Sequence, residues 1–358
     1  MALDMRDLLE EMVKRGATDL HLTVAAPPMY RKDGSLEPSN YDPISPDQVR
    51  KLVYSILSDQ QKKKFEMEKE LDLSFGVPGL SRFRANVYYQ RGQVATAIRT
   101  IPFKIRSFKD LGIPEVVSEM SSRMKGLILI TGTTGCGKST TLAAIIDKIN
   151  NERKCHIVTI EDPIEYLFKH KRAIINQRQV GSDTDKFMVA LKYILRQDPD
   201  VVMVGEMRDL ETMESALNIA ETGHLTLATL HTNSAAESIS RIIDVFAPAR
   251  QSQVRAQLSF VILGIITQSL IPRIQGGREL ALEILVATPA VKALVRDGKV
   301  HQIYSHIQAG RKFGMRTMNQ SLYKLYMERK IALEDAISYS REPKELEQMI
   351  EKKTMVLQ

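Results

Sequence analysis

Residues 131–140 read TGTTGCGKST, and this stretch limits the possible folds more sharply than any other in the chain. Gly132, Gly137, Lys138 and Ser139 stand at the G-x-x-x-x-G-K-S/T spacing of a phosphate-cradling loop. Such a loop needs a strand before it and a helix after it. Both neighbours comply: KGLILI is a short apolar run, and STTLAAIIDKIN is apolar at helical period. Glycines let the backbone turn several N–H groups toward one point, where the helix N-terminus adds partial positive charge, so an anion is bound without side-chain bulk in the way. In that geometry Gly132, Thr133, Thr134, Gly135, Cys136, Gly137, Lys138, Ser139 and Thr140 are expected to line a nucleotide, ATP. Lys138 would reach the β and γ phosphates, and Ser139 would place a hydroxyl on Mg²⁺. Cys136 is the odd member. Ahead of a helix N-terminus and beside Lys138, it stands where thiolate is favoured over thiol, and a reactive cysteine is one expectation. The other is a small residue with its sulfur turned into packing.

Beyond the loop, GLILI, HIVTI, VVMVG and LTLATL alternate with helical stretches. Their apolarity is continuous, which marks strands covered on both faces and therefore a parallel sheet with helices outside. The expected fold class is α/β, a RecA-like P-loop ATPase core over residues 117–358 with C-terminal helices such as TPAVKALVRDG and MNQSLYKLYMERK. Residues 1–100 read as a small α+β domain. It has a helix at 3–15, a strand in ATDLHLT, an Asp33-Gly34 turn, and a helix opening at Ser45-Pro46-Asp47 with cap, proline and first-turn acid. SRFRANVYYQRGQVATAIRTIP closes the domain as two strands around an Arg91-Gly92 turn. Period two puts Arg82, Arg84, Asn86 and Tyr88 on one face, an unusually basic one. The proline-punctuated FKIRSFKDLGIPEVV marks a linker at 101–116.

Composition narrows the class further. The 358 residues suffice for two cores, and no window holds 18 uninterrupted apolar residues. The N-terminus reads as an amphipathic helix rather than a signal peptide, so a cytoplasmic location is expected. Two cysteines without C-x-x-C spacing indicate neither a disulfide framework nor a structural zinc. A net charge of +7 permits contact with nucleic acid or an anionic membrane. The densest run, QKKKFEMEKE, mixes signs at helical spacing like a solvated helix face, and no nucleic-acid motif accompanies it. No nucleic-acid partner is expected.

In open α/β sheets ligands lie beyond the carboxyl ends of the strands. After HIVTI come Glu161, Asp162, Pro163 and Glu165; after VVMVG comes Glu206; after LTLATL comes His231. Hydrolysis needs a base to orient water against the γ phosphate and an acid to help hold Mg²⁺ and its waters. These strand ends supply candidates for both, although Glu161 and Asp162 also read as plain loop residues. Glu206 stands where a Walker B acid belongs. His224 and His231, seven apart around one strand, should face opposite sides, and His301 and His306 read as structural or surface residues.

TIEDPIEY at 159–166, DPDVVMVGEMRD at 198–209, ETGHLTLATLHT at 221–232 and HQIYSHIQAGRKFGMRTMNQSL at 301–322 resemble the secretion-superfamily ATPases, nearest to the type IV pilus retraction ATPases. The resemblance covers nearly the whole chain. It implies a homohexameric ring, an N-terminal PAS-like domain, and ATP hydrolysis that withdraws pilin subunits from the fibre. It also implies an inner-membrane pilus platform protein as partner, with other pilus ATPases beside it, and a cytoplasmic location peripheral to the inner membrane. By the same resemblance Glu165 is the catalytic base, Glu206 belongs to an atypical Walker B and serves the metal with Ser139, and His231 belongs to a His box. Arg82, Arg84, Arg91 or Arg99 resemble arginines that reach phosphate across domains or subunits. Two departures stand out: Cys136 replaces the family's usual serine, and AVKALVRD at 290–297 replaces a motif close to A-I-R-N-L-I-R-E. The alternatives are a pilus extension or type II secretion ATPase, which usually carries a longer N-terminal region and a cysteine-rich insertion, and a nucleic-acid-translocating RecA-type ATPase.

Overall fold

A computed structural model describes residues 3–32, 34–101 and 105–356. Asp33 of the expected turn and residues 102–104 of the expected linker lie outside the described residues. The structure divides into two compact units: residues before 105 together with Glu165–Leu167, and the remainder.

The first unit is a six-stranded antiparallel sheet of β1 (Asp19–Leu22), β2 (Met29–Lys32), β3 (Ser35–Pro38), β4 (Glu70–Val77), β5 (Ser81–Gln90) and β6 (Gln93–Ile101), in the order β3-β2-β1-β6-β5-β4. Local chemistry sets its boundaries. The first helix, Met5–Arg15, starts where Asp4 caps the Arg6 amide and stops at Gly16, whose φ of 68° glycine adopts without a Cβ penalty. Ser45 and Gln48 form a reciprocal capping box at the helix Pro46–Ser55, as Ser58 and Gln61 do at Asp59–Glu68. That last helix carries the mixed-charge run; Phe65 is its buried residue and the lysines stay outside. Arg91 and Gly92, both at positive φ, make the tight β5–β6 turn. On β5 the expected alternation holds: Ser81, Phe83, Ala85 and Val87 are buried, whereas Arg82, Arg84, Asn86 and Tyr88 are not. Phe83 joins Leu8, Leu9, Met12, Leu20, Tyr30 and Phe65 in the core, and each such fully buried side chain contributes about 1.5–3 kcal/mol relative to exposure.

The second unit holds β7 (Gly126–Thr131), β8 (His156–Glu161), β9 (Ile174–Gln179), β10 (Val201–Val204), β11 (Leu225–Leu230), β12 (Ile262–Pro272) and β13 (Arg278–Val286). Their order is β13-β12-β7-β11-β10-β8-β9. The expected strands β7, β8, β10 and β11 are buried on both faces and pair in parallel. At one edge of this sheet β13 runs antiparallel to β12. A hairpin closes that edge without a crossover helix. Helix Lys138–Glu152 packs Ile145, Ile146 and Ile149 on one face of the sheet; Met213, Leu217, Ile239 and Leu258 from three other helices cover the opposite face. After β13 the chain is helical, with Pro289–Arg296, Ile303–Ala309, Met318–Met327, Leu333–Ser338 and Pro343–Val356. Among the described residues no helix is long and apolar enough to cross a membrane.

Candidate functional site

β7 ends at Thr131 and the loop begins at Gly132, whose φ of 140° only glycine adopts readily. Space demands glycine there as well: a Cβ would lie 2.4 Å from the Gln268 carbonyl oxygen and 2.6 Å from the Cys136 sulfur. Helix Lys138–Glu152 then starts from Gly137 with no side-chain cap, the kind of helix start that suits a bound anion. Lys138 folds back over the loop and donates from Nζ to the carbonyls of Gly132 at 2.8 Å and Thr133 at 3.0 Å. Thr133, Thr134 and Gly135 are exposed, and Ser139 and Thr140 are half-buried at the helix start.

Cys136 answers differently from the reactive-thiol expectation. It is 3% exposed, its sulfur turned inward against Gly132. Burial pushes the thiol above its ordinary value, and the neighbouring Lys138 charge and backbone hydrogen bonds offset this only in part. Of the two expectations for Cys136, the structure favours the packed thiol, and the residue serves the loop through its backbone. Its carbonyl accepts a 2.7 Å hydrogen bond from Nε2 of Gln268, a 1% exposed residue of β12.

The strand ends converge as the parallel order requires. Gly205 follows β10 closely against β8, where a Cβ would stand 3.0 Å from the Ile160 carbonyl. Glu206 comes next, and its two carboxylate oxygens are both engaged: Oε1 lies 3.1 Å from His231 Nε2, and Oε2 accepts from Arg208 at 2.8 Å. Burial alone would raise its carboxyl, but the Arg208 hydrogen bond and the nearby His231 together hold it below the usual carboxylate value. On its other side His231 Nδ1 lies 3.5 Å from the Thr134 hydroxyl. One imidazole thus links Glu206 to the phosphate loop. His224, at the opposite end of β11, turns to the Ile219 carbonyl at 3.0 Å, away from that cluster.

Glu161 is 7% exposed and accepts from Thr159 at 2.6 Å, a structural engagement. Glu165 is exposed and belongs to the first unit with Tyr166 and Leu167. Within that unit Arg99 pairs with Asp19 at 2.7 Å, and Arg82 donates to Ser74 at 2.9 Å. Arg84 is exposed on the same sheet face, directly opposite Arg99 in the β5–β6 register. Asp19 sits in one cross-strand row with Arg31, Arg99 and Arg84, and its carboxylate pairs with Arg99. Among the described residues no cluster of three His, Cys, Asp or Glu could hold a metal unaided. The Ser139 hydroxyl at the helix start is an oxygen donor of the kind that Mg²⁺ takes.

Sequence reasoning missed Gln268 and Arg278; the latter donates to the Gly135 carbonyl at 3.4 Å. A signal existed: ILGIITQSLI at 262–271 is a β-branched apolar run of strand type.

Comparison with known proteins follows the same lines. The family described as "Type II/IV secretion system protein" matches residues 4–355. The pilus retraction ATPase PilT of Pseudomonas aeruginosa is 46% identical over 341 residues, 95% of this chain and 99% of that protein. The type IV pilus ATPase PilU of the same organism is 40% identical over 97% of this chain and 91% of its own length. A crystal structure of the pilus retraction motor PilT with bound ADP superposes with a TM-score of 0.92 at 51% identity, covering 97% of this chain and 99% of that one. The chain therefore belongs to the type II/IV secretion system protein family, among its pilus retraction ATPases.

Proposed function

We propose that the protein is a homohexameric motor that hydrolyses ATP to retract type IV pili, the activity underlying twitching motility. The observation that carries this reading is the Glu206–His231–Thr134 link between Walker B acid and phosphate loop, in a chain 46% identical to PilT. Lys138 exchanges the loop carbonyls for the β and γ phosphates when ATP enters. Ser139 and Glu206 are the residues that would hold Mg²⁺, and when bound the ion would supply positive charge against the phosphates. His231 reads the γ phosphate against Glu206. Glu165 is the base that orients water, and Arg82, Arg84 and Arg99 supply positive charge as it develops on the transferred phosphoryl group.

The chain is organised for this as an N-terminal domain at 1–100 and a motor domain that takes in most of the expected 101–116 linker, since Ile113 is buried in the motor core. The partners are an inner-membrane pilus platform protein and other pilus ATPases, with the motor on the cytoplasmic side at that membrane. Two measurements test the reading. Glu165→Gln should bind ATP normally while turnover falls by about a hundredfold, the scale of a positioned base; near-normal phosphate release would move the role to another acid. Deleting the gene in its host should abolish surface motility and leave pili in place, whereas loss of pili would replace retraction by extension.

A further inference from the structure

Glu283 on β13 is a buried acid whose carboxylate faces the starts of two helices. It is 2% exposed, and its Oε1 accepts from the amide of Ala235 at 2.8 Å, the first residue of helix Ala235–Asp244. The amide of Met318, the first residue of helix Met318–Met327, is a second favourable influence on the carboxylate. Burial raises this carboxyl, opposed by the two amides and by the Arg341 charge, so the site retains an acid where an apolar residue would be cheaper to bury.

What the anchor holds is the turn between β11 and that first helix, His231 to Ser234. Thr232 bonds Ser238 at 2.6 Å, the Asn233 amide donates to Glu237 at 3.0 Å, and Ser234 accepts from the Glu237 amide at 3.1 Å. The turn therefore moves with the first turn of its helix. Glu283 stands in one cross-strand row with Thr267, Thr131 and Leu230, and Thr131 and Thr267 share a 2.8 Å hydrogen bond. Thr131 precedes the phosphate loop and Leu230 precedes His231. Arg341, between the last two helices, adds a second tie to the same helix start through Glu237 at 3.6 Å.

We propose that Glu283 is a positioning residue for turnover, holding the His231 turn in register with the phosphate loop and tying it to the C-terminal helices that begin at Met318. The inference rests on the catalytic reading of His231 given above. Glu283→Gln keeps the volume but turns an amide donor toward one of the two N–H groups. In the full-length protein it should lower kcat about tenfold with little change in the KM for ATP, the pattern expected when stabilisation specific to the transition state is weakened. In a His231→Ala background the same substitution should cost nothing further, because the group it positions is gone. Glu283→Asp keeps the charge but is one methylene short of spanning both helix ends, so it should show a smaller loss absorbed in the same way; it carries the comparison if the glutamine variant does not fold. Equal losses in both backgrounds, or a change confined to KM or to Tm, would overturn the proposal while leaving His231 in its role. Unimpaired turnover in His231→Ala alone would remove both.

Discussion

At the scale of single residues, Cys136 shows how neighbours in sequence and neighbours in space can argue in opposite directions. Lys138 and the helix start favour a thiolate, yet the side chain is buried against Gly132, and desolvation outweighs them. A raised thiol value keeps the sulfur neutral at pH 7.5, with thiolate appearing only above the ordinary cysteine range. Alkylation of the folded protein at pH 7.5 should therefore leave ATPase activity intact, and mass spectrometry should find Cys136 unlabelled until the chain is unfolded. Rapid labelling with loss of activity, slowed by ATP, would restore the reactive reading. The motif residues Lys138, Glu206 and His231 were legible because their chemistry depends on position along the chain after a strand. The orientation of a small side chain was not, since packing against β12 decided it.

At the scale of elements, the phosphate loop depends on its underside as much as on its own glycines. Gly132 faces the backbone of β12 at a distance no Cβ tolerates, whereas a Cβ at Gly135 would meet nothing within 4 Å. Gly135→Ala should then cost only the left-handed backbone strain, about 1–2 kcal/mol, and keep nucleotide affinity within about threefold. Gly132→Ala should displace the loop and weaken ATP binding by more than about tenfold, for its Cβ must push backbone rather than a side-chain tip. Calorimetry on the two variants separates these outcomes, and equal affinities would show that the loop is not seated on β12. The helix boundaries were readable from Ser45, Gly16 and the proline starts, because caps are local chemistry. The β12–β13 hairpin was not: β12 is placed by pairing with β7, a partner more than a hundred residues earlier in the chain, and β13 follows it antiparallel.

For the whole molecule, two separate cores set the expectation. Ile113, Val117 and Met120 are buried with the sheet of the second unit, so a fragment beginning at residue 105 retains that core, and one beginning at 117 cuts into it. Fragment 105–358 should fold cooperatively and bind ATP, yet hydrolyse it at least about tenfold more slowly than the full chain, if arginines of the first unit complete the charge balance. Full activity in the fragment would dismiss Arg82, Arg84 and Arg99 from catalysis. The amino-acid sequence by itself determined the phosphate loop, the parallel strands that flank it, the acids and histidine at their ends, and the family, since each is written in spacings of a few residues. Only the tertiary structure decided that Cys136 is packed, that Gln268 and Glu283 brace the site, and that Arg99 is paired with Asp19. Those outcomes depend on burial and on register between strands far apart in the chain, and such contacts exist only once the sheets have closed.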